Sequence, residues 1–152
     1  MYDFVDRPLT SLGHGGRFLV WSMRTWVKAM HAGRCPCFAV GSGFAQWRMV
    51  SGLPDFHMMM MIFNRDGLQK LMFGAVECNR VSEHEALILS LVRSASRPQP
   101  EVLRKTLALV VTEDAVANLA TALSSLGGKL AAAGILLDQP GISIAQNGYR
   151  DE

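Results

Sequence analysis

The sequence predicts an all-α fold: a single domain spanning 1–152, an irregular bundle of about five or six helices packed around residues 86–92. Two stretches, near 16–32 and 112–134, repeat apolar side chains at helical spacing. A third, residues 77–92 (ECNRVSEHEALILSLV), holds Ser82 and Glu85 in the S-x-x-E spacing of a capping box, where each side chain satisfies a backbone N–H left open at a helix start. Past that cap Ala86, Leu87, Ile88, Leu89, Leu91 and Val92 put apolar groups on nearly every face, which a helix tolerates only when other elements surround it. A chain of 152 residues buries roughly 70% of the surface its unfolded form exposes, so no staple is needed.

Residues 1–11 read as an N-terminal arm with a turn at Pro8, and Thr10 or Ser11 is placed to cap the first helix. Gly13, Gly15 and Gly16 read as a flexible lead-in. No strand precedes them and no Gly-Lys-Ser/Thr comes after, as a phosphate-cradling loop requires. The first helix covers 16–32: Leu19, Met23, Trp26 and Met30 form its apolar side, and Arg17, Arg24, Lys28 and His31 an opposing polar stripe. Gly33 stops it. Arg34-Cys35-Pro36-Cys37 then turns the chain into a second helix with Pro36 near its first position, where the missing N–H costs nothing. Phe38, Val40, Phe44, Trp47 and Val50 serve its packing. Gly41 and Gly43 weaken this helix by up to about 1 kcal/mol each unless a close helix contact offsets the loss.

Ser51-Gly52-Leu53-Pro54 breaks the chain before a third helix, 54–64, which contains Met58, Met59, Met60 and Met61. Residues 64–67 carry a turn signal, and 68–76 reads either as a short helix or as an extended connector. The capped central helix runs to about Ser94. Residues 94–100 form a linker, since Pro98 and Pro100 forbid a continuing helix. Residues 101–111 fit a short helix, with a strand as the alternative at Val110-Val111. Thr112 reads as the N-cap of the longest helix, with Glu113 and Asp114 favourably placed on its dipole. That helix ends near Gly134, and Gly127-Gly128 marks a kink or a close crossing. A turn at 138–141 and a polar tail at 146–152 complete the chain.

The charged fraction, 18%, is low against the usual ~25%, which suits a surface partly covered by a partner. A net charge of +2 and a pI near 8.6 fall short of a dedicated nucleic-acid binder. Arg17, Arg24, Lys28 and Arg34, near Trp21 and Trp26, read instead as solvating a helix face. Cys35 and Cys37 are too close in sequence for an ordinary disulfide framework, so a reducing cytoplasm is expected. The N-terminus lacks the basic flank and apolar run of a signal peptide. The most apolar run, 56–63, is far short of the roughly eighteen residues needed to span a bilayer.

The sharpest chemical constellation is His31, Cys35 and Cys37, with Cys78 and His84 as remote partners. Thiolate and imidazole suit zinc, and four such ligands close a tetrahedral site, although C-x-C departs from the usual C-x₂₋₄-C spacing. The same thiols lie at a helix start beside Arg34, which would lower the pKa of Cys35 or Cys37 towards a reactive thiolate. Burial as small hydrophobes is the plainer reading for them and for Cys78. The methionines offer soft ligands, with His57 beside them, but consecutive helical residues cannot all face one site; core packing or a partner groove accounts for them better. Glu83, His84 and Glu85 adjoin, yet the capping box already accounts for Glu85. No G-x-S-x-G elbow, H-E-x-x-H or Walker lysine occurs. No catalytic residue and no cofactor are therefore expected.

The segment Cys78-Asn79-Arg80-Val81-Ser82-Glu83-His84-Glu85-Ala86-Leu87, preceded by LQKLMF and, much earlier, by FLVWSMRTWV, resembles a group of small helical proteins of alphaproteobacteria whose function is unknown. The resemblance covers about residues 16–92 and implies a helical fold and a bacterial cytoplasmic setting. Those proteins tend to carry several cysteines, where this segment has only Cys78. The functional expectation is a non-enzymatic protein-interaction or regulatory protein, binding another protein or a second copy of itself. The alternatives are a thiol or metal sensor using Cys35, Cys37 and Cys78, or a small-ligand binder lined by the Met58–Met61 helix.

Overall fold

The computed structural model describes residues 4–96, 100–135 and 137. The chain folds as an all-α bundle: α1 (His14–His31), α2 (Pro36–Gln46), α3 (Leu53–Asp66), α4 (Glu83–Ala95), α5 (Pro100–Leu107) and α6 (Glu113–Ala132), with 3₁₀ turns at Leu9–Ser11 and Val50–Gly52. Among the described residues the extended pairing is limited to two isolated bridges, Pro8 with Arg80 and Gly67 with Val111. No helix among them is long and apolar enough to cross a membrane. The expected turn at 138–141 and tail at 146–152, and residues 97–99 of the linker, lie outside the described residues.

Three helices stop in the same way. At α1, Gly33 takes φ +71°, its N–H donates to Met30 O, and the Arg34 N–H donates to Ala29 O, which is the Schellman arrangement. Gly134 does the same for α6, bringing buried Ile135 back onto Leu130. At α2 the left-handed position falls on Arg48, φ +57°, and buried Met49 returns to Phe44. Each stop turns the chain sharply and seals the helix end with an apolar contact.

The helix α6 packs against α3, α4 and α5, while α1 packs against α2 and α4. The apolar girth of α4 is used as expected: Ala86, Ile88, Leu89, Leu91 and Val92 are all buried. Gly127 is a close crossing, because a Cβ there would lie 3.3 Å from both Val92 O and Ser96 N on α4 and its C-cap. Rings of α1, α2 and α3 stack in sequence, Phe18 on Phe44 at 5.0 Å and Phe44 on Phe56 at 5.2 Å. The methionine run divides between faces: Met59 and Met60 are buried and Met58 is exposed.

Several expectations are corrected. Helix α1 begins at His14, so Gly15 and Gly16 belong to a buried first turn rather than a flexible lead-in, and the N-cap is Gly13 instead of Thr10 or Ser11. The Ser11 hydroxyl donates to Pro8 O. Phe38 is 88% exposed and Val50 is exposed too, so neither serves the packing of α2. Residues 64–66 continue α3, and the chain turns only at Gly67. Helix α5 ends at Leu107 because Val111 is drawn into its bridge with Gly67. Thr112 is the N-cap of α6, but its side chain makes no capping bond. Arg24 does not lie on a solvated stripe; it is buried.

Candidate functional site

Between α3 and α4, residues 67–82 form no helix, so their backbone groups must find partners elsewhere. One buried ion pair supplies much of the anchorage. Arg24 of α1 is 2% exposed and Glu85 of α4 is fully buried. The Arg24 Nε donates to Glu85 Oε2 at 2.7 Å and its Nη2 donates to Oε1 at 2.9 Å, a two-pronged pair. The guanidinium also donates to the carbonyls of Cys78 and Arg80, both at 2.6 Å. Glu85 in turn accepts the Ser82 N–H at 2.8 Å and the Gly74 N–H at 2.9 Å. The capping box is complete, with the Glu85 N–H donating to Ser82 Oγ. Position 74 admits only glycine without a shift, since a Cβ there would come within 2.8 Å of Arg24 Nη2.

Burial alone would raise the Glu85 carboxyl pKa. The hydrogen bonds from Arg24 and from the Ser82 and Gly74 N–H groups, with the guanidinium charge, outweigh it and hold the carboxyl below the usual range. The hydrogen bond to Glu85 raises the Arg24 pKa against the opposing effect of burial, so the pair is ionised on both sides.

The upstream half of the connector, residues 68–74, is tied along one edge. The Leu68 N–H donates to Val110 O at 2.9 Å, the Met72 N–H to His84 Nδ1 at 2.6 Å, and Met72 O accepts from Ser82 Oγ at 3.0 Å. Together with Gly74, these even-numbered residues bond towards the α4 and α5 side. Leu71 and Phe73 pack on the core while Lys70 and Met72 are exposed, the period of two of an extended chain. In such a chain alternate residues aim their main-chain groups at opposite edges, so those of Gln69 and Leu71 face α1 and α3. Among the described residues these groups have no hydrogen-bond partner.

That open edge borders a cleft of about 520 Å³. Buried Trp26, Met60 and Phe63 line it from α1 and α3, His31, Asn64 and Lys70 supply its polar groups, and no Asp or Glu lines it. The Trp26 ring is fixed by its Nε1–H, which donates to His57 Nδ1 at 3.1 Å. Behind the connector lies a smaller hollow of about 240 Å³ that includes Glu83, His84, Leu87 and Leu109. Two exposed apolar side chains, Leu68 (56%) and Met72 (62%), stand on the connector and line the larger cleft.

The residues singled out from the sequence are distributed over separate places. Cys35 precedes α2 and is exposed, Cys37 is partly buried in its first turn, and Cys78 is exposed on the connector. His31 lines the larger cleft, while His84 spends Nδ1 on Met72 and borders the smaller hollow. Among the described residues no three His, Cys, Asp or Glu side chains gather to hold a metal ion. Burial, and then the neighbouring Cys35, raise the Cys37 thiol pKa, opposite to the lowering expected at a helix start. The His57 Nδ1 is taken by Trp26. The basic stripe of α1 is broken at its centre by the burial of Arg24.

Sequence reasoning missed Arg24, Gly74 and the open edge. A signal for Arg24 was available: it lies four residues after Val20 and three before Val27, in a row of neighbours on the helix surface that is otherwise apolar. No protein-family model, curated protein or solved structure matches this chain.

Proposed function

We propose that this protein is a non-enzymatic interaction protein that docks another protein on the 67–73 segment and the cleft beside it. The observation that carries this reading is a connector without helix, fixed by a buried ion pair, that presents Leu68 and Met72 to solvent next to an apolar cleft. A fixed apolar surface of this kind suits binding, because little ordering is left for association to require. No acid, base or nucleophile is gathered at the cleft beyond His31 and Lys70, which suits recognition better than bond making. A bacterial cytoplasmic setting belongs to the same reading, and the exposed thiols of Cys35 and Cys78 suit a reducing compartment.

The test is position-specific photo-crosslinking in cells, with a benzoylphenylalanine at position 68 or 72 and a control at exposed Ser124 on α6. Discrete adducts are expected from 68 and 72 and not from 124. The adduct from 72 should vanish when Leu68→Asp is added, with the melting temperature unchanged. Identical adducts from all three positions would sink the reading.

A second reading is favoured by the size of the cleft, which falls within the roughly 300–1,000 Å³ of small-ligand sites. Occupation by a small amphiphile is therefore kept as an outcome of the next experiment.

A further inference from the structure

Resting on the interaction reading, we infer that the cleft takes an extended, carboxylate-bearing segment of the partner protein, which adds as a strand to the open edge at Gln69 and Leu71. Three features of the site converge on this occupant. The first is the edge itself. Leu68, Met72 and Gly74 use their main-chain groups on the α4 and α5 side, leaving those of Gln69 and Leu71 turned towards the cleft. Unpaired N–H and C=O groups along an extended chain are a template for a further strand. A helix or an apolar small molecule in the same place would leave them without partners.

The second is the floor. A strand seated on this edge turns alternate side chains down, towards Trp26, Met60 and Phe63, and the others out to solvent. The third is charge. Lys70 and His31 lie at the cleft and no Asp or Glu does, so a carboxylate on the incoming segment is matched and a cation is not. The same charge disfavours a second copy of this chain. Two identical edges pairing antiparallel between Gln69 and Leu71 would set Lys70 opposite Lys70, a repelling pair. The geometry is also ready in advance, because the buried pair holds Gly74, Cys78, Arg80 and Ser82 at once.

The probe is a displayed library of random short peptides panned on the full chain, and then synthetic versions of the selected sequences. Those sequences should alternate apolar and polar residues and carry Asp or Glu. On binding, the Gln69 and Leu71 amides should exchange more slowly with solvent. Methylating peptide nitrogens that face the edge should weaken binding by up to about tenfold per blocked bond. Methylating the intervening nitrogens should leave affinity unchanged. These changes are made in the peptide, so the fold of the protein is not at risk. Lys70→Glu should weaken the acidic peptides and abolish the salt dependence of their binding.

Indifference to which nitrogen is methylated would overturn strand addition, and so would a panning that selects nothing. Either result leaves crosslinking from 68 and 72 to judge the interaction reading by itself. Dodecanoate binding in the cleft where no peptide does would overturn the inference in favour of a small amphiphile. Concentration-dependent dimerisation that protects Gln69 and Leu71 would overturn it in favour of self-association.

Discussion

Replacing Glu85 by glutamine leaves the shape of the side chain almost unchanged and removes its charge. The donors around the carboxylate set the consequence. Oε1 accepts from Arg24 Nη2 and the Ser82 N–H, and Oε2 from Arg24 Nε and the Gly74 N–H. Either orientation of the new amide therefore sets its NH₂ against two donors, beside a buried guanidinium that has lost its counter-charge. Breaking a buried pair from one side costs about 3–5 kcal/mol. For a chain of 152 residues at about 2–4 °C per kcal/mol, the fall in Tm is roughly 6–20 °C. The double variant Arg24→Met, Glu85→Met removes both charges, and the carbonyls of exposed Cys78 and Arg80 can turn to water. Its stability should lie within about 1 kcal/mol of the parent or above it. Urea unfolding of parent, both single variants and the double closes the cycle, with an expected coupling of about 3 kcal/mol or more. If the double loses the sum of the two singles, the pair is not coupled and the reasoning fails.

The depressed pKa of Glu85 fixes a direction with pH: its stabilisation is complete above the ordinary glutamate value of about 4.3 and is lost as pH falls through the lower folded value. The stability difference between the parent and Arg24→Met, Glu85→Met, measured by urea midpoints, should shift against the parent in that acid range and be flat above it. Gly43→Ala should destabilise by about 1–3 kcal/mol through overpacking, because its Cβ would come within 2.8 Å of the Trp21 ring. Gly41→Ala on the same helix meets nothing within 4 Å and should gain up to about 1 kcal/mol, so denaturation of the two variants should move in opposite directions. Arg48→Gly relieves a left-handed backbone at the end of α2 and should add about 0.5–1 kcal/mol, read as a higher thermal midpoint. Timed alkylation with iodoacetamide, mapped by mass spectrometry, should modify exposed Cys35 and Cys78 before Cys37, whose thiol is partly buried and raised in pKa. A Cys37 that reacts first would favour the thiol-sensor reading.

What could be read from the sequence was what local chemistry decides. The Ser82–Glu85 box closes within four residues, and both of its hydrogen bonds form. Gly33 and Gly134 announce their helix stops because glycine is the residue that takes a left-handed φ without strain. The identical stop at Arg48 went unread, since an arginine carries no such mark. Arg24 was read onto the solvated stripe for a related reason: its partner lies 61 residues away, and helical spacing alone cannot show it. The end of α5 obeys the same rule, for the pairing of Val111 with Gly67 is set by tertiary placement rather than by propensity. Residues 68–76 stayed ambiguous because only Leu71 and Phe73 mark the alternation, too few to separate a strand from a helical turn.

A buried ion pair is a weak source of net stability, because the cost of desolvating two charges roughly cancels their attraction. Its geometric effect here is large. A connector lacking helix could have been held by apolar contacts alone, and Leu71 and Phe73 do provide some. Apolar contacts resist displacement poorly along the chain direction, whereas the directed bonds to Gly74, Cys78, Arg80 and Ser82 fix both register and rotation. That rotation decides which edge of residues 68–74 is tied down and which is left open. The open edge costs little in the free protein, since water satisfies it. The Arg24→Met, Glu85→Met variant should therefore separate the two roles: it should fold with near-parental stability yet bind the selected peptides more weakly, because the edge at Gln69 and Leu71 is no longer held in one orientation. Equal peptide affinity in parent and double variant would show that the pair serves the fold and not the site.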